Sequence, residues 1–180
     1  MRQARPGERM RWHAIADRCP DATAGAELGV LYGTLSSALL EMIPSLNLYL
    51  IDRWEAYPED KRLKRARVTR QPASWFYEAL DIARGAVAQF GDRAQIVQGD
   101  TVAMASHVPN ELDFVFVDAD HTYDGVVADV KAWEGKIKSG GWIMGHDYGS
   151  KRHPEVKRAV DDMYGSRVEV DADYVWAVQL

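Results

Sequence analysis

The residues best suited to chemistry in this chain stand directly after short apolar segments of the sequence. They are Glu27, Gly29, Gly33, Asp52, Gly99, Asp100, Asp118, Asp120, His121, His146 and Asp147. Carboxylates and imidazoles bind cations, accept hydrogen bonds and move protons. Glycines let a backbone turn sharply and approach a ligand closely. Acids that recur beside glycine or histidine at each of these points indicate one shared site for a small ligand.

The segment from Glu27 to Gly33 reads ELGVLYG, which is the pattern ExGxxxG and not the GxGxxG of dinucleotide-binding turns. A pyrophosphate needs bare N–H donors, so an acid at Glu27 would be unfavourable beside it. The acid suits a ligand that carries an ammonium or sulfonium group. Asp52 could hold the two hydroxyls of a ribose. Asp100 could accept a hydrogen bond from an adenine amino group.

A second group of residues has the composition of a metal site. Asp118 ends one apolar segment, and His146 and Asp147 follow the next strand-like segment. Neighbouring strands of a sheet lie about 4.8 Å apart, so these three side chains can converge on one cation. A hard ion such as magnesium prefers oxygen ligands, whereas His146 suits manganese, iron or zinc better. The sequence therefore predicts a divalent-metal site at this point.

Hydrophobic spacing alternates between strands and helices along the chain. Strand-like segments cover residues 25–29, 46–51, 94–97, 112–117 and 142–144. Helical spacing covers residues 34–43, 74–90, 123–138 and 154–164, with a short helix around 8–18. Residues 168–170 and 174–178 are expected to form a closing hairpin. The pattern predicts an α/β fold with a doubly wound, mostly parallel, Rossmann-like sheet and a C-terminal antiparallel hairpin, with ligands at the carboxyl ends of the strands.

Size, charge and cysteine content favour a single domain that acts on a small molecule inside the cell. The chain has 180 residues, 47% of them apolar, which is enough for one core. A net charge of −5 gives no footprint for nucleic acid or an anionic membrane. Cys19 is the sole cysteine, and no apolar stretch is long enough for a signal core or a membrane span. We expect a single cytoplasmic domain over 1–180, with an N-terminal extension at 1–24. Residues 53–72 are a candidate substrate lid, because six of the residues from 61 to 70 are lysine or arginine.

Five segments, in order, resemble class I S-adenosylmethionine-dependent methyltransferases. They read ELGVLYGTLSSALL, YLIDRWE, IVQGD, FVFVDADHTYDGVVADVKAW and GGWIMGHDY, and they span about Glu27 to Tyr148. The nearest resemblance is to the small branch that includes metal-dependent sugar O-methyltransferases of natural-product pathways. The catechol and caffeoyl-coenzyme A O-methyltransferases are more distant relatives.

The resemblance implies S-adenosylmethionine as the cofactor and S-adenosylhomocysteine as its product. By position, the ExGxxxG turn would line the methionine part of the cofactor. Asp52 would hold its ribose, Asp100 would lie near its adenine, and Asp118 would lie near its methionine end. The Trp54 ring is expected to stack on the adenine. Neighbouring residues complete the expected cofactor contacts: Leu31, Tyr32, Thr34, Arg53, Gly99, Thr101 and Ala119.

The resemblance also implies a metal-assisted reaction at a small-molecule hydroxyl. In the related enzymes the metal ligands stand where this chain has Asp118, His146 and Asp147. Magnesium or manganese would hold the acceptor hydroxyl there and lower its pKa. In the sugar-methylating relatives the second acid of the DxD pair removes the proton, which corresponds to Asp120 here. In the catechol-type relatives the base lies one residue later, which corresponds to His121. Asp120 is the favoured candidate for the base, and His121 is the alternative. Three other histidines are expected to be exposed: His13, His107 and His153.

Two other functional classes compete with this interpretation. The ExGxxxG spacing disfavours a nicotinamide-dependent oxidoreductase. The acids at Asp118 and Asp120 disfavour a non-catalytic module that only binds an adenosyl cofactor, because such a module need not keep them. DNA amino-methylation is disfavoured because no NPPY or DPPY segment follows the 112–117 strand. A chain of this length leaves little room for a substrate domain, so a homo-oligomer could complete the acceptor pocket.

Overall fold

The computed structural model describes residues 6–56, 68–171 and 173–180, with side chains from Arg11 onward except that of Thr69. Among these residues the strands are β1 Ala24–Leu28, β2 Asn47–Asp52, β3 Ala94–Gln98, β4 Leu112–Val117, β5 Ile137–Gly145, β6 Glu169–Val170 and β7 Trp176–Gln179. The α-helices are α1 Pro6–Arg18, α2 Thr34–Met42, α3 Ala73–Val87, α4 Thr101–Met104, α5 Tyr123–Trp133 and α6 Pro154–Tyr164. Short 3-10 turns occur at Val68–Arg70, Ala88–Arg93, Ala105–His107, Glu134–Lys136 and Gly165–Arg167.

The strands form one sheet in the order β3-β2-β1-β4-β5-β7-β6. Strands β1 to β5 run parallel, whereas β7 pairs antiparallel with both β5 and β6. The strand order reverses between β1 and β4, which is the switch point where ligands bind in sheets of this kind. The predicted doubly wound, mostly parallel α/β sheet with an antiparallel C-terminal hairpin is confirmed.

Apolar side chains cover both faces of the sheet, and the helices divide between them. Strand β4 is buried at every position, which suits a central strand that is apolar throughout Phe114–Val117. Side chains of α1, α2 and α3 join one core cluster, and those of α5 and α6 join the other. Helix α1 contributes Ala14, Ile15 and Ala16 to the first cluster. The described, buried side chains of this helix therefore belong to the same core as those of α2 and α3.

The chain after α5 departs from the prediction. We expected a helix through residue 138, but α5 ends at Trp133 and β5 already begins at Ile137. Gly140 and Gly141, which were expected to end the helix, lie within β5. The pairing of β5 with β4 shifts register at this point, and Gly140 has a φ of 80°. The glycine pair therefore serves an irregularity in a strand, because a left-handed backbone there suits glycine.

One further expectation concerns the candidate substrate lid at 53–72. Residues 57–67 lie outside the described residues, and with them lies most of the basic run that was expected to form a substrate lid. The described remainder of that segment is 53–56, which follows β2, and 68–72, which leads into α3.

Among the described helices, none combines the length and the apolar character needed to cross a lipid bilayer.

Candidate functional site

The carboxyl ends of the parallel strands meet at one edge of the sheet. Leu28 at the end of β1 lies opposite Ile51 on one side and Val117 on the other. Val117 in turn lies opposite Gly145 of β5. The residues that follow these positions therefore come together, as the sequence predicted. They form two halves: the glycine turn (residues 29–33) and the histidine–carboxylate cluster (Asp118, His121, His146, Asp147 and His153).

The glycine turn connects β1 to α2 through left-handed backbone. The φ angle is 88° at Gly29, 54° at Leu31 and 71° at Gly33. A Cβ atom on Gly29 would lie 2.1 Å from the carbonyl oxygen of Asp118, so no side chain fits at this position. Packing against the end of β4 therefore requires this glycine. The same contact brings the glycine turn directly against the histidine–carboxylate cluster.

Glu27 lies beneath the glycine turn. Its side chain is only 2% exposed, and its carboxyl accepts a hydrogen bond from Ser36 Oγ of α2 at 2.5 Å. Burial raises the pKa of Glu27 to about 8, although the Ser36 hydrogen bond opposes the shift. In this structure the acid that was expected to line a ligand therefore joins β1 to α2 through Ser36.

Asp52 joins the end of β2 to the glycine turn. Its carboxylate accepts hydrogen bonds from the main-chain N–H groups of Leu31 at 2.9 Å and Trp54 at 3.0 Å. Burial raises the pKa of Asp52, and these main-chain hydrogen bonds oppose the rise. Asp52 is partly exposed at the ligand edge.

The prediction that Trp54 stacks on a ligand base is wrong. The Trp54 side chain is 0% exposed, and its indole N–H donates to the carbonyl oxygen of Leu31 at 2.8 Å. A φ of 43° at Trp54 reverses the chain after Asp52. The ring therefore joins the core and supports the glycine turn from behind.

The end of β3 supplies the outer part of the same edge. Asp100 is the N-cap of α4, and its carboxylate accepts hydrogen bonds from two N–H groups of the first turn of that helix. Arg53 Nη1 lies 3.5 Å from the same carboxylate. Thr101 donates to buried Asp129 at 2.5 Å, and burial raises the pKa of Asp129 to about 7. Five other predicted cofactor residues are partly exposed along this edge: Leu31, Tyr32, Thr34, Gly99 and Ala119.

The histidine–carboxylate cluster is held together by short contacts. His121 Nε2 lies 2.9 Å from Asp147 Oδ2 and 3.3 Å from Asp118 Oδ1. His146 Nδ1 lies 3.3 Å from Asp147 Oδ2 and 3.9 Å from Asp118 Oδ1. The structure thus brings together the three residues that the sequence predicted as metal ligands and adds His121 to them.

The charges of this cluster depend on one another. Burial disfavours a charged His121, but hydrogen bonds to Asp118 and Asp147 outweigh burial and raise its pKa to about 10. Burial likewise disfavours a charged Asp147, but the hydrogen bonds from His121 and His146 outweigh it and hold its pKa well below the usual range. The His121 ring is therefore an imidazolium at neutral pH, and Asp147 is a carboxylate.

Two sets of three donors within the cluster have the spacing of metal ligands. In each set the ligand atoms all lie within 4.8 Å of one another: Asp118, His146 and Asp147 in the first, and His121, Asp147 and His153 in the second. His146 is 8% exposed, and its Nε2 has no hydrogen-bond partner among the described residues. The ring atom that faces Asp118 and Asp147 is Nδ1, whereas Nε2 lies 3.9 Å from Asp173 Oδ2. A donor set of one imidazole and two carboxylates suits transition metals better than magnesium.

The Asp120 carboxyl packs against the first turn of α5. Its carboxylate accepts the main-chain N–H of Thr122 at 2.9 Å. A Cβ atom on Gly125 would lie 2.4 Å from the Asp120 carboxyl carbon, so α5 leaves room for this side chain. Asp120 nevertheless lines one small cavity together with His121 and His146. Both candidate bases thus face the same space.

The sequence did not predict two members of this neighbourhood. Arg11 of α1 donates to Asp118 Oδ2 at 2.7 Å and lies 3.4 Å from Asp173 Oδ2. His153 was expected to be exposed, which is wrong: it is partly buried, and its ring centroid lies 4.1 Å from that of His121. Burial and the charge of His121 lower the pKa of His153. Neither residue follows a strand end, so the signal that found the others does not apply to them.

Sequence comparison identifies one family. The chain matches the family model described as a methyltransferase domain over residues 26–148. The match includes the glycine turn, Asp52, Asp100 and most of the histidine–carboxylate cluster. No curated protein matches the sequence.

Solved structures share the fold at low sequence identity. An O-methyltransferase from Bacillus cereus in complex with SAH aligns over 99% of this chain and 83% of its own, with a TM-score of 0.67 and 16% identity. The O-methyltransferase NovP aligns over 94% of this chain and 78% of its own, with a TM-score of 0.70 and 17% identity. CalS11, a calicheamicin methyltransferase, aligns over 94% and 77%, with a TM-score of 0.68 and 12% identity. Similarity at this level concerns the fold.

Proposed function

Since this chain belongs to the methyltransferase domain family, we propose that it is an S-adenosylmethionine-dependent O-methyltransferase that acts on a hydroxyl of a small molecule. The observation that carries the proposal is the contact between Gly29 and the backbone of Asp118. It sets a turn suited to the cofactor against a cluster suited to the acceptor. The Bacillus cereus structure of the same fold is a complex with SAH, the demethylated cofactor, which supports this choice.

The residues at the strand ends fit the parts of this cofactor. Bound there, it would supply a methyl group already activated by a sulfonium. The glycine turn and Asp118 would hold the methionine part, where an acid offsets the positive charge. Asp52 would accept the ribose hydroxyls with the oxygen lone pairs that Leu31 and Trp54 leave over. Asp100 and Arg53 would border the adenine.

The chain's main task in such a reaction is to align the acceptor and to remove its proton. A proton acceptor must be in its basic form. His121 carries its proton at neutral pH because its pKa is about 10, so it donates hydrogen bonds and orients its two carboxylate partners. We assign proton removal to Asp120, which shares the cavity with His121 and accepts a hydrogen bond from the main-chain N–H of Thr122.

A divalent metal fits the first donor set of the cluster. Asp118, His146 and Asp147 would hold it, and its charge would lower the pKa of an acceptor hydroxyl. One imidazole among the ligands favours manganese over magnesium. The Nδ1 atom of buried His146 lies 3.3 Å from Asp147 Oδ2, which supports this ring as a ligand beside the two carboxylates.

The acceptor pocket is proposed to form at the open side of the cluster. Arg11 and Asp173 border it, and the Tyr174 ring, which is 52% exposed, lies at the rim beside His146. A second subunit would complete it, and the rest of the site is proposed to lie within a single domain over residues 1–180.

Calorimetric titration tests the cofactor class directly. S-adenosylmethionine and S-adenosylhomocysteine are expected to bind in the micromolar range, and NAD is expected not to bind. Formation of S-adenosylhomocysteine is then followed with catechols and with sugar hydroxyls as acceptors, with and without Mn²⁺. Binding of NAD alone would contradict the proposal. Cofactor binding without turnover on any acceptor would favour a non-catalytic module.

A further inference from the structure

The second donor set of the cluster does not follow from methyl transfer. It consists of His121 at the start of the loop before α5, Asp147 after β5 and His153 before α6. The geometry points to a binding site for a divalent transition-metal ion of the zinc and cobalt class, with His121, Asp147 and His153 as its ligands. This site shares only Asp147 with the donor set of the proposed reaction, and it does not depend on that reaction.

The distances within this set match those of a metal site. His121 Nε2 lies 2.9 Å from Asp147 Oδ2, and His153 Nε2 lies 4.0 Å from the same oxygen. All three ligand atoms lie within 4.8 Å of one another. Atoms bound tetrahedrally to zinc at their usual bond lengths lie about 3.3 Å apart. The two separations from Asp147 Oδ2, 2.9 and 4.0 Å, lie on either side of this value.

The His153 ring packs against that of His121, with a centroid separation of 4.1 Å, but its nitrogens are not used in hydrogen bonds to the described residues. His153 has its nearest acid oxygen at 4.0 Å, on Asp147. Its main-chain N–H, in contrast, is fixed by Ser150 O at 3.2 Å. A partly buried imidazole with a fixed backbone and an unused ring nitrogen is pre-positioned for a ligand.

His146 lies beside the same carboxylate. This ring is 8% exposed, and its Nδ1 lies 3.3 Å from Asp147 Oδ2. Three imidazoles thus surround a single carboxylate. Hard cations such as magnesium prefer oxygen donors, whereas transition metals accept nitrogen and oxygen together. The composition of the neighbourhood therefore selects the class of metal.

Cobalt provides a direct spectroscopic test, because its visible absorption reports ligand type and geometry. The full-length chain, without cofactor or acceptor, is titrated with Co²⁺ and then with an excess of Mg²⁺. We expect d–d bands that Mg²⁺ does not remove. His153→Gln should weaken Co²⁺ binding more than about tenfold. His146→Gln should change it by less, and His107→Gln, at an exposed histidine outside the cluster, should leave it unchanged.

A fourth variant separates ligation from a structural effect. His153→Cys places a thiolate at this position, and a thiolate bound to Co²⁺ gives a near-ultraviolet charge-transfer band. The band should appear with this variant and be absent from the wild-type protein, whose sole cysteine, Cys19, is buried. Circular dichroism and thermal unfolding establish that each variant is folded.

Three results would overturn the site. These are Co²⁺ affinity unchanged in folded His153→Gln, affinity lost in His146→Gln but kept in His153→Gln, and a His153→Cys variant without a thiolate band. S-adenosylhomocysteine binding is measured in parallel on the same variants. Loss of Co²⁺ binding with that binding intact separates this site from the proposed function.

Discussion

Arg11 Nη1 of the first helix lies 2.7 Å from Asp118 Oδ2 at the end of β4. The same guanidinium reaches Asp173 between β6 and β7 at 3.4 Å. A positive charge from near one end of the chain thus occupies the oxygen of a proposed metal ligand. This ion pair links the N-terminal helix, the centre of the sheet and the C-terminal hairpin at the candidate site.

Removal of this guanidinium should strengthen metal binding. Arg11→Met keeps the apolar stem of the side chain but leaves Asp118 free for a cation. We expect Mn²⁺ affinity to rise about fivefold, in keeping with about 1 kcal/mol for a partly exposed ion pair. Calorimetry or electron paramagnetic resonance measures the change. Arg18→Met is the matched control, because Arg18 ties the same helix to Asp171 and Glu169 outside the cluster. A fall in affinity would mean that Arg11 orders Asp118 for the metal.

Replacement of the two candidate bases should separate their roles. Asp120→Asn is expected to lower turnover by about 10²- to 10⁴-fold, the usual contribution of a general base, with cofactor affinity unchanged. His121→Gln is expected to lower turnover less, since that ring orients carboxylates. The readout is formation of S-adenosylhomocysteine at saturating cofactor. Full activity of Asp120→Asn, together with loss of activity in His121→Gln, would transfer the base role to His121.

Gly29→Ala should disturb both halves of the site. The new methyl group would lie 2.1 Å from the Asp118 carbonyl oxygen, and alanine disfavours the φ of 88° found there. We expect the free energy of unfolding to fall by about 1–3 kcal/mol and cofactor binding to weaken. Urea unfolding and calorimetry measure the two effects. Gly85→Ala, in α3 with open space around it, should instead be neutral or stabilising by up to about 1 kcal/mol. Equal effects of both substitutions would remove the special role of Gly29.

Glu27 should make stability depend on pH. Its folded-state pKa of about 8 lies above the ordinary value of 4.5, so the native state favours the protonated acid. The stability this provides is fully present below about pH 4.5 and is lost as pH rises towards about 8. Glu27→Gln lacks this loss and should become more stable relative to wild type across that range, by about 1.4 kcal/mol for each unit of pKa elevation.

Denaturant unfolding at several pH values between about 5 and 9 measures this dependence. Glu41→Gln, on the exposed side of α2, is the control and should follow the wild-type profile. Parallel stability curves for Glu27→Gln and wild type would show that burial does not penalise the Glu27 charge.

The fold and most of the site could be predicted because both follow from local rules. Parallel strands end at one edge of a sheet, so residues after apolar segments, such as Asp52 and Asp118, had to meet there. Periodicity was less reliable near residue 137, because an apolar residue continues a helical stripe and begins a strand equally well. The structure resolved this in favour of β5.

The positions of three side chains could not be predicted, because they depend on how distant parts of the chain pack together. Trp54 stands two residues after Asp52, yet its φ of 43° turns the ring into the core. Arg11 contacts Asp118, which is 107 residues away in the sequence. No local sequence pattern predicts that α1 packs beside the end of β4. His153 lies in the loop before α6, and residue spacing alone does not predict the path of that loop.

The contact of Gly29 with the Asp118 backbone has a consequence for how such a chain could diversify. The separation between the two halves of the site is set by main chain against main chain, so substitutions of side chains cannot tune it. New acceptor preferences would therefore have to arise in the bordering loops and the first helix. Evolution could exchange the substrate of this domain repeatedly while the spacing between donor and acceptor was inherited unchanged.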